Sequence, residues 1–341
     1  MKKLFLTMVV ALMSTAMSFG QNSLVATLDR DGEISVYYGA GALIQAYVSA
    51  NPGDVVTLSS GTFQTPIFTK AITVRGAEMQ YDEVLDRDYT YLVGQTDSYG
   101  SRIQIEGDSL IKGTDDLIFE GLRLGELGRR GRGNNLYETS TRICKTQFIK
   151  CYFSSSFNQF YDDSDFTMVN CRLSSGISSF CDKLTLINCL VNGIPCKGHF
   201  INCVFDGTVS GDETANYENC CFITSSINKF PITATVKNCV STQSGTFGNI
   251  SNSTNKYVEI QNLFKTATKG IMYSNESENY DLTDEAKTLY LSTDGTQVGI
   301  YGGLAPYDPT PSNPQITKFN VAQKATADGK LSVDITVNGA E

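Results

Sequence analysis

The segment "YDDSDF" sets Asp162, Asp163 and Asp165 within four residues of one another, and Arg172 follows seven residues after Asp165. Carboxylates so grouped have the oxygen ligands that a hard cation such as Ca²⁺ takes. They are also the residue type for paired acid–base work, with an arginine beside them to act on an acidic sugar. A solvated turn accounts for the same residues, and no further motif marks any of the four as catalytic. A second group is basic. Arg123, Tyr152 and Arg172 recur at related positions, and "GELGRRGRGNN" adds Arg129, Arg130 and Arg132. Guanidinium forks grip carboxylates in a bidentate way, and a tyrosine ring can stack on a sugar face. A mobile Gly/Arg loop with solvated charges is the alternative. The third group is ten cysteines with a single histidine, His199. The absence of CxxC-type clusters beside that lone histidine argues against a zinc centre.

The composition narrows what these groups can serve. The chain has 341 residues, no Trp, eight Pro and a net charge of −9. Residues 1–20 read as a secretory signal peptide: Met-Lys-Lys, the apolar run "LFLTMVVALM", then "STAMSFG". Cleavage before Gln21 would remove Lys2 and Lys3 and take the net charge from −9 to −11. The expected location is therefore secreted, periplasmic or at the cell surface, with no membrane span. An acidic chain repels phosphate backbones, so nucleic acid is excluded as a partner. Abundant Ser, Thr, Asn and Gly favour short strands and turns over long helices.

The elements that must position the candidate residues are repeated. Aligned on Asn188, matching segments read "ITVRGA" (Gly76), "LIFEGLRL" (Gly121), "QFIKCYF" (Lys150), "TMVNCRL" (Asn170), "TLINCLV" (Asn188) and "HFINCVF" (Asn202). They continue as "NYENCCF" (Asn219), "TVKNCVS" (Asn238) and "VEIQNLF" (Asn262). From Lys150 onward the intervals are 20, 18, 14, 17, 19 and 24 residues. Such a period means stacked units, none able to bury its apolar face alone. Gly or Asn at the aligned position predicts a left-handed bend, and alternation on either side predicts strands.

Counting back two places from the corner gives an inward column of Phe119, Phe148, Met168, Leu186, Phe200, Tyr217, Val236 and Ile260. Counting forward one gives Leu122, Cys151, Cys171, Cys189, Cys203, Cys220, Cys239 and Leu263. Leucine at both ends of that file reads its thiols as small core fillers. A disulfide remains open for an exported chain, with Cys144, Cys181, Cys196 and Cys221 as the off-column candidates. Ile149, Val169, Ile187 and Ile201 point outward and call for a cover, such as the insertions at 77–101 or 125–140. Asp116, Lys145, Asp165, Lys183 and Lys197 precede successive strands and suggest a ladder of ion pairs. His199 falls in an outward polar column.

The stretch "GALIQAYVSANPGDVVTLSSGTFQTPIFTKAITVRGA" (41–77) resembles the opening rung of the pectin-lyase-like superfamily, and the Asn-Cys bends resemble its asparagine ladder. "TDGTQVGIYGG" (293–303) is similar to the end of such helices in exported bacterial proteins. The resemblance implies an all-β, right-handed parallel β-helix over 21–303 with a short cap helix at 42–50. It does not extend to the enzymes of the group: "KGHF" and "GTDD" do not match the motifs of galacturonan hydrolases, and only Arg172 beside Asp162, Asp163 and Asp165 is similar to a pectate-lyase face.

Four prolines between 306 and 314 mark a linker at 304–315, and 316–341 reads as a β-hairpin turning at Asp328-Gly329. Three functions remain. The first is a non-catalytic, adhesin-like monomer binding extracellular, possibly anionic polysaccharide without an obligatory cofactor. The second is a lyase of uronate-containing glycans, with Ca²⁺ as its possible ion. The third is a structural scaffold of the envelope.

Overall fold

Seven of the nine aligned corner residues adopt the left-handed backbone: Gly121, Lys150, Asn170, Asn188, Asn202, Asn219 and Asn238, all with φ between 51° and 64°. These values come from a computed structural model describing residues 24–79, 89–97, 100–105, 116–125, 127–128, 145–154, 157–158, 165–174, 177–178, 183–194, 197–209, 215–223, 234–247, 254–266, 280–310, 315–321, 330 and 333–338. The corners lie over one another. The N–H of Gly121 donates to Ile149 O, Lys150 to Val169 O, Asn170 to Ile187 O, Asn188 to Ile201 O and Asn202 to Glu218 O. Each corner thus bonds to the residue that precedes the next corner, and the result is a parallel β-helix.

Strands before the corner form one sheet and strands after it a second. The first sheet has eleven strands. It begins with the antiparallel β1 (Val25–Arg30) and β2 (Glu33–Tyr38), and β1 leads to β3 (Val55–Leu58), from which pairing is parallel to Thr235–Lys237. The second sheet has ten strands, from Gly61–Gln64 to Lys256–Tyr257. Among the described residues a third side has five strands, the last of them Ile177–Ser178. In the 14-residue rung from Asn188 to Asn202 the second-sheet strand runs over Leu190–Ile194 and the next first-sheet strand opens at Gly198. Gly198 begins that strand with φ 125°, where a Cβ would stand 2.5 Å from Leu184 O.

The interior follows the period-two pattern. Phe119, Phe148, Met168, Leu186 and Phe200 are fully buried, and Tyr217 and Val236 are 2% exposed. Beside them stand Cys151, Cys171, Cys189, Cys203, Cys220 and Cys239, unpaired and at 0% exposure. Each thiol faces the carbonyl of the inward residue one rung earlier, as in Cys171 to Phe148 O at 3.2 Å and Cys189 to Met168 O at 3.4 Å. A thiol fills the space beside the corner and uses its weak S–H donor there, which leucine cannot do. Burial pushes the thiols of Cys171, Cys203 and Cys220 upward, away from the reactive thiolate.

Both ends of the alignment depart from the expected pattern. Gly76 lacks the left-handed φ; glycine stands there because a Cβ would collide with Gly121 O and the Leu122 side chain. Asn262 is not a corner at all: it lies in the helical turn α2 (Ile260–Leu263). Ile260 and Leu263 accordingly leave the inward columns and join a second apolar cluster outside the barrel. The alignment reads α2 as a rung because "VEIQNLF" carries apolar residues at spacings that suit both periods.

At the N-terminal end, the cap helix α1 (Ala42–Ser49) buries Ala42, Leu43, Ala46 and Tyr47 over the first rung. The Lys70 ammonium bonds to Tyr47 O, Val48 O and Ala50 O at 2.9, 3.3 and 2.8 Å, so a cation sits where the helix dipole is negative. Asp54 accepts from Arg30 and from Asn51 N and ties β1 to the cap. After the last rung the chain forms α2, then α3 (Asp284–Leu289), which Thr283 caps by accepting from Ala286 N. Residues 280–310 then return along the outside of the barrel. Strands Gln315–Val321 and Val333–Asn338 pair antiparallel as a C-terminal hairpin. Among the described residues no helix is long and apolar enough to cross a membrane. The segment 1–20 lies outside the described residues.

Candidate functional site

The outward positions of the second sheet that follow the thiol file form a continuous register: Tyr91, Arg123, Tyr152, Arg172, Leu190, Val204, Cys221 and Val240. Its first half alternates Tyr and Arg. The Arg123 guanidinium lies 4.8 Å from the centroid of Tyr89, 5.7 Å from Tyr91 and 5.0 Å from Tyr152. Arg172 lies 5.4 Å from the other side of Tyr152. Strand spacing near 4.8 Å sets these distances, because in-register side chains on adjacent strands stand side by side. Each such contact is worth about 0.5–2 kcal/mol according to its exposure.

The second half of the register is apolar and covered. Leu190, Val204, Cys221 and Val240 form an external cluster with Phe264, which follows α2, and with Leu282, Val298 and Ile300 from the returning chain. The Cys221 thiol is buried there, and burial pushes it up. The same returning segment occupies the corners. Thr293 bonds to both polar atoms of the Asn219 amide, Ser292 Oγ meets Asn202 Oδ1 at 3.4 Å, and Asn188 donates to Ile300 O and Gly302 O. It ends at Lys150, whose ammonium bonds to Asp308 at 2.9 Å and to Thr310 O at 2.7 Å. Half-buried Tyr307 arrives beside Arg172: burial raises its phenol's pKa and the arginine's charge acts in the opposite direction.

This strap divides the two arginines. Arg172 is 8% exposed. Arg123 is half-buried, and three rings lie within cation–ring distance of it. Aromatic rings surround its guanidinium, and among the described residues its N–H groups meet no acceptor. Tyr89, Tyr91 and Tyr307 complete the cluster and are absent from the sequence reading. The alternation in "DYTYLV" was the available signal for the first two; nothing local points to Tyr307.

The other candidates fall elsewhere. Arg129, Arg130, Arg132, Asp162 and Asp163 lie outside the described residues. Asp165 opens a strand of the first sheet, half-buried, and makes no ion pair with Arg172, which stands on the second. Among the described residues no three His, Cys, Asp or Glu side chains converge on a metal position. Lys145 and Asp116 form the first pair of the expected charge ladder at 3.2 Å, and Asp165 stands in register with Lys183. His199 is exposed, in line with Thr185 and Asn216. Ile149, Val169, Ile187 and Ile201 are half-buried. Comparison with family models, with curated proteins and with solved structures finds no match to this chain.

Proposed function

We propose that this protein is an exported β-helix that binds anionic polysaccharide through the Tyr/Arg register of its second sheet, without cleaving it. Kinship with the pectin-lyase-like superfamily is part of that proposal and rests on the opening segment and the Asn corners.

One observation carries the reading. Arg123 sits among the rings of Tyr89, Tyr91 and Tyr152, and among the described residues its guanidinium has no hydrogen-bond or ion-pair acceptor. A guanidinium held among aromatic rings loses little freedom when it takes a carboxylate or sulfate in two hydrogen bonds. The neighbouring phenol rings offer apolar faces and hydroxyls to the sugar. The lyase reading fares worse on the same register, because the arginine nearest the acidic cluster in sequence, Arg172, is buried beneath the strap.

A glycan array of uronate-rich, sulfated and neutral polysaccharides, paired with an ultraviolet assay for unsaturated uronates, tests it. Binding of the acidic chains without product supports the reading, provided Arg123→Ala abolishes it and Arg123→Lys retains only part. Appearance of unsaturated product establishes a lyase instead. Absence of binding to every acidic glycan overturns the proposal and leaves the scaffold.

A further inference from the structure

The two ends of the first sheet are finished differently. At the far end, side chains close the last rung. Thr254 Oγ1 accepts from Asn238 N, Asn255 Oδ1 accepts from Cys239 N, and Asn255 Nδ2 donates to Val236 O, each at 3.0 Å. Exposed lysines, Lys237 and Lys256, stand on the last strands of the two sheets. These are the devices by which a sheet avoids adding another strand.

Among the described residues the near end carries none of them, and β2 is the terminal strand, paired with β1 in unbroken register over six residues, with no Pro, Lys or bulge. Val25 O accepts from Ser59 N, so Val25, Thr27 and Asp29 direct their backbone groups toward β3. Ala26, Leu28 and Arg30 therefore bond to Tyr37, Ser35 and Glu33. It follows that the N–H and C=O groups of Ile34, Val36 and Tyr38 point off the open edge, where no described residue bonds to them. The side chains of the same three residues are 57%, 44% and 65% exposed. They project from the outward face, while Tyr37 on the other face packs on the core.

We propose that β2 is a homodimer interface, pairing antiparallel with β2 of a second copy about a two-fold axis through Val36. The spacing is self-complementary. In that register Ile34 faces Tyr38 of the copy, Val36 faces Val36, and Tyr38 faces Ile34. The same three residues thus contribute both the backbone bonds and a continuous apolar stripe, as an isologous contact requires. A foreign strand would satisfy the backbone equally, but three exposed apolar residues spaced evenly about Val36 are matched in full by the same three of a second copy. The two first sheets become one, joined head to head, and the Arg123 registers lie on both halves. This inference is independent of the ligand.

Light scattering on the protein at micromolar concentration should show a dimer that Val36→Lys converts to monomer with an unchanged circular dichroism spectrum. Cysteine substitutions test the register without a destabilising charge. Val36→Cys should form a disulfide dimer on oxidation, since directly opposed bonded pairs stand about 5.5 Å apart at Cα, within disulfide reach. Ile34→Cys alone should not, whereas Ile34→Cys mixed with Tyr38→Cys should. A wild-type monomer at about 100 μM, a weak affinity even for a small interface, overturns the inference. So does a dimer that survives Val36→Lys, or cross-linking of Ile34→Cys alone as fast as Val36→Cys.

Discussion

The Asn188 side-chain amide donates to the carbonyl of Ile300 at 2.7 Å, across 112 residues of sequence. Its second proton goes to Gly302 O at the same distance, so one corner residue has two separable duties. It tolerates the left-handed bend (φ 51°), and it holds the strap. Asn188→Gly keeps the first and removes the second. The variant should fold with its rungs intact while hydrogen exchange rises across 292–310, with a loss of about 1–3 kcal/mol for two buried carbonyls left unpaired. Asn188→Ala should lose a further 1–2 kcal/mol or so, because alanine resists the left-handed bend. Equal melting temperatures for the two variants would contradict this division.

The thiol file makes a chemical prediction. Cys151, Cys171, Cys189, Cys203, Cys220, Cys221 and Cys239 are buried and unpaired, seven of the ten cysteines in the chain. A thiol reagent should therefore label at most the other three, Cys144, Cys181 and Cys196, until denaturant is added. Modification of more than three in the native protein would mean that the file is open to water. Cys189→Ala should cost roughly 1–2 kcal/mol for the cavity it leaves beside the Asn188 corner, without any change in redox behaviour.

Much of this architecture was legible in the sequence because corner, thiol and inward aromatic recur at fixed offsets from one residue. Asn170, Asn188, Asn202, Asn219 and Asn238 announce themselves locally, as does the inward pairing of Phe148 with Met168. The strap was not legible. Its contacts join residues such as Lys150 and Asp308, 158 places apart, and pairings of that range leave no periodic mark. The change from Arg172 to Leu190, Val204 and Cys221 along one outward register was a visible sign that something covers the later rungs. The identity of the cover was not visible. Tyr307 leaves no local mark for the same reason, and Asn262 reads as a corner because a single turn of helix repeats apolar residues much as a short rung does.

Tyr152 stands between Arg123 and Arg172, at 5.0 and 5.4 Å from their guanidinium carbons, and so links the open part of the register to the covered part. Tyr152→Leu preserves an apolar filler on the strand but removes the ring face that orients Arg123. The fold should persist with a loss of about 1–2 kcal/mol for two contacts. Affinity for an acidic glycan should fall roughly tenfold, since a freed arginine must be ordered again on binding. Titration calorimetry with Tyr152→Phe as the control separates the ring from the hydroxyl: Phe should retain binding and Leu should not.

Strap docking should depend on pH through Asp308. Burial works against its carboxylate, but the hydrogen bonds from Thr310 and from the Lys150 ammonium prevail and hold it below the usual value of 3.8. A group whose folded pKa is lowered contributes stability in full above its unfolded value. That contribution disappears as pH falls through the folded one. The strap's end should therefore stay fixed at neutral pH and loosen below about pH 4, and because Asp308 is half exposed the effect should be modest and reduced by salt. Lys150 has the further burden of a left-handed φ of 51° without the tolerance of Asn, so its bond to Asp308 compensates locally for that strain. Asp308→Asn should flatten the acid transition measured by exchange at 304–310 while leaving the rungs unaffected. Lys150→Asn should do the same and also relieve the corner, so the two variants should share the lost pH dependence but differ in melting temperature, with Lys150→Asn the higher. A wild-type strap whose exchange is constant from neutral pH to pH 3 would remove the carboxylate from this role.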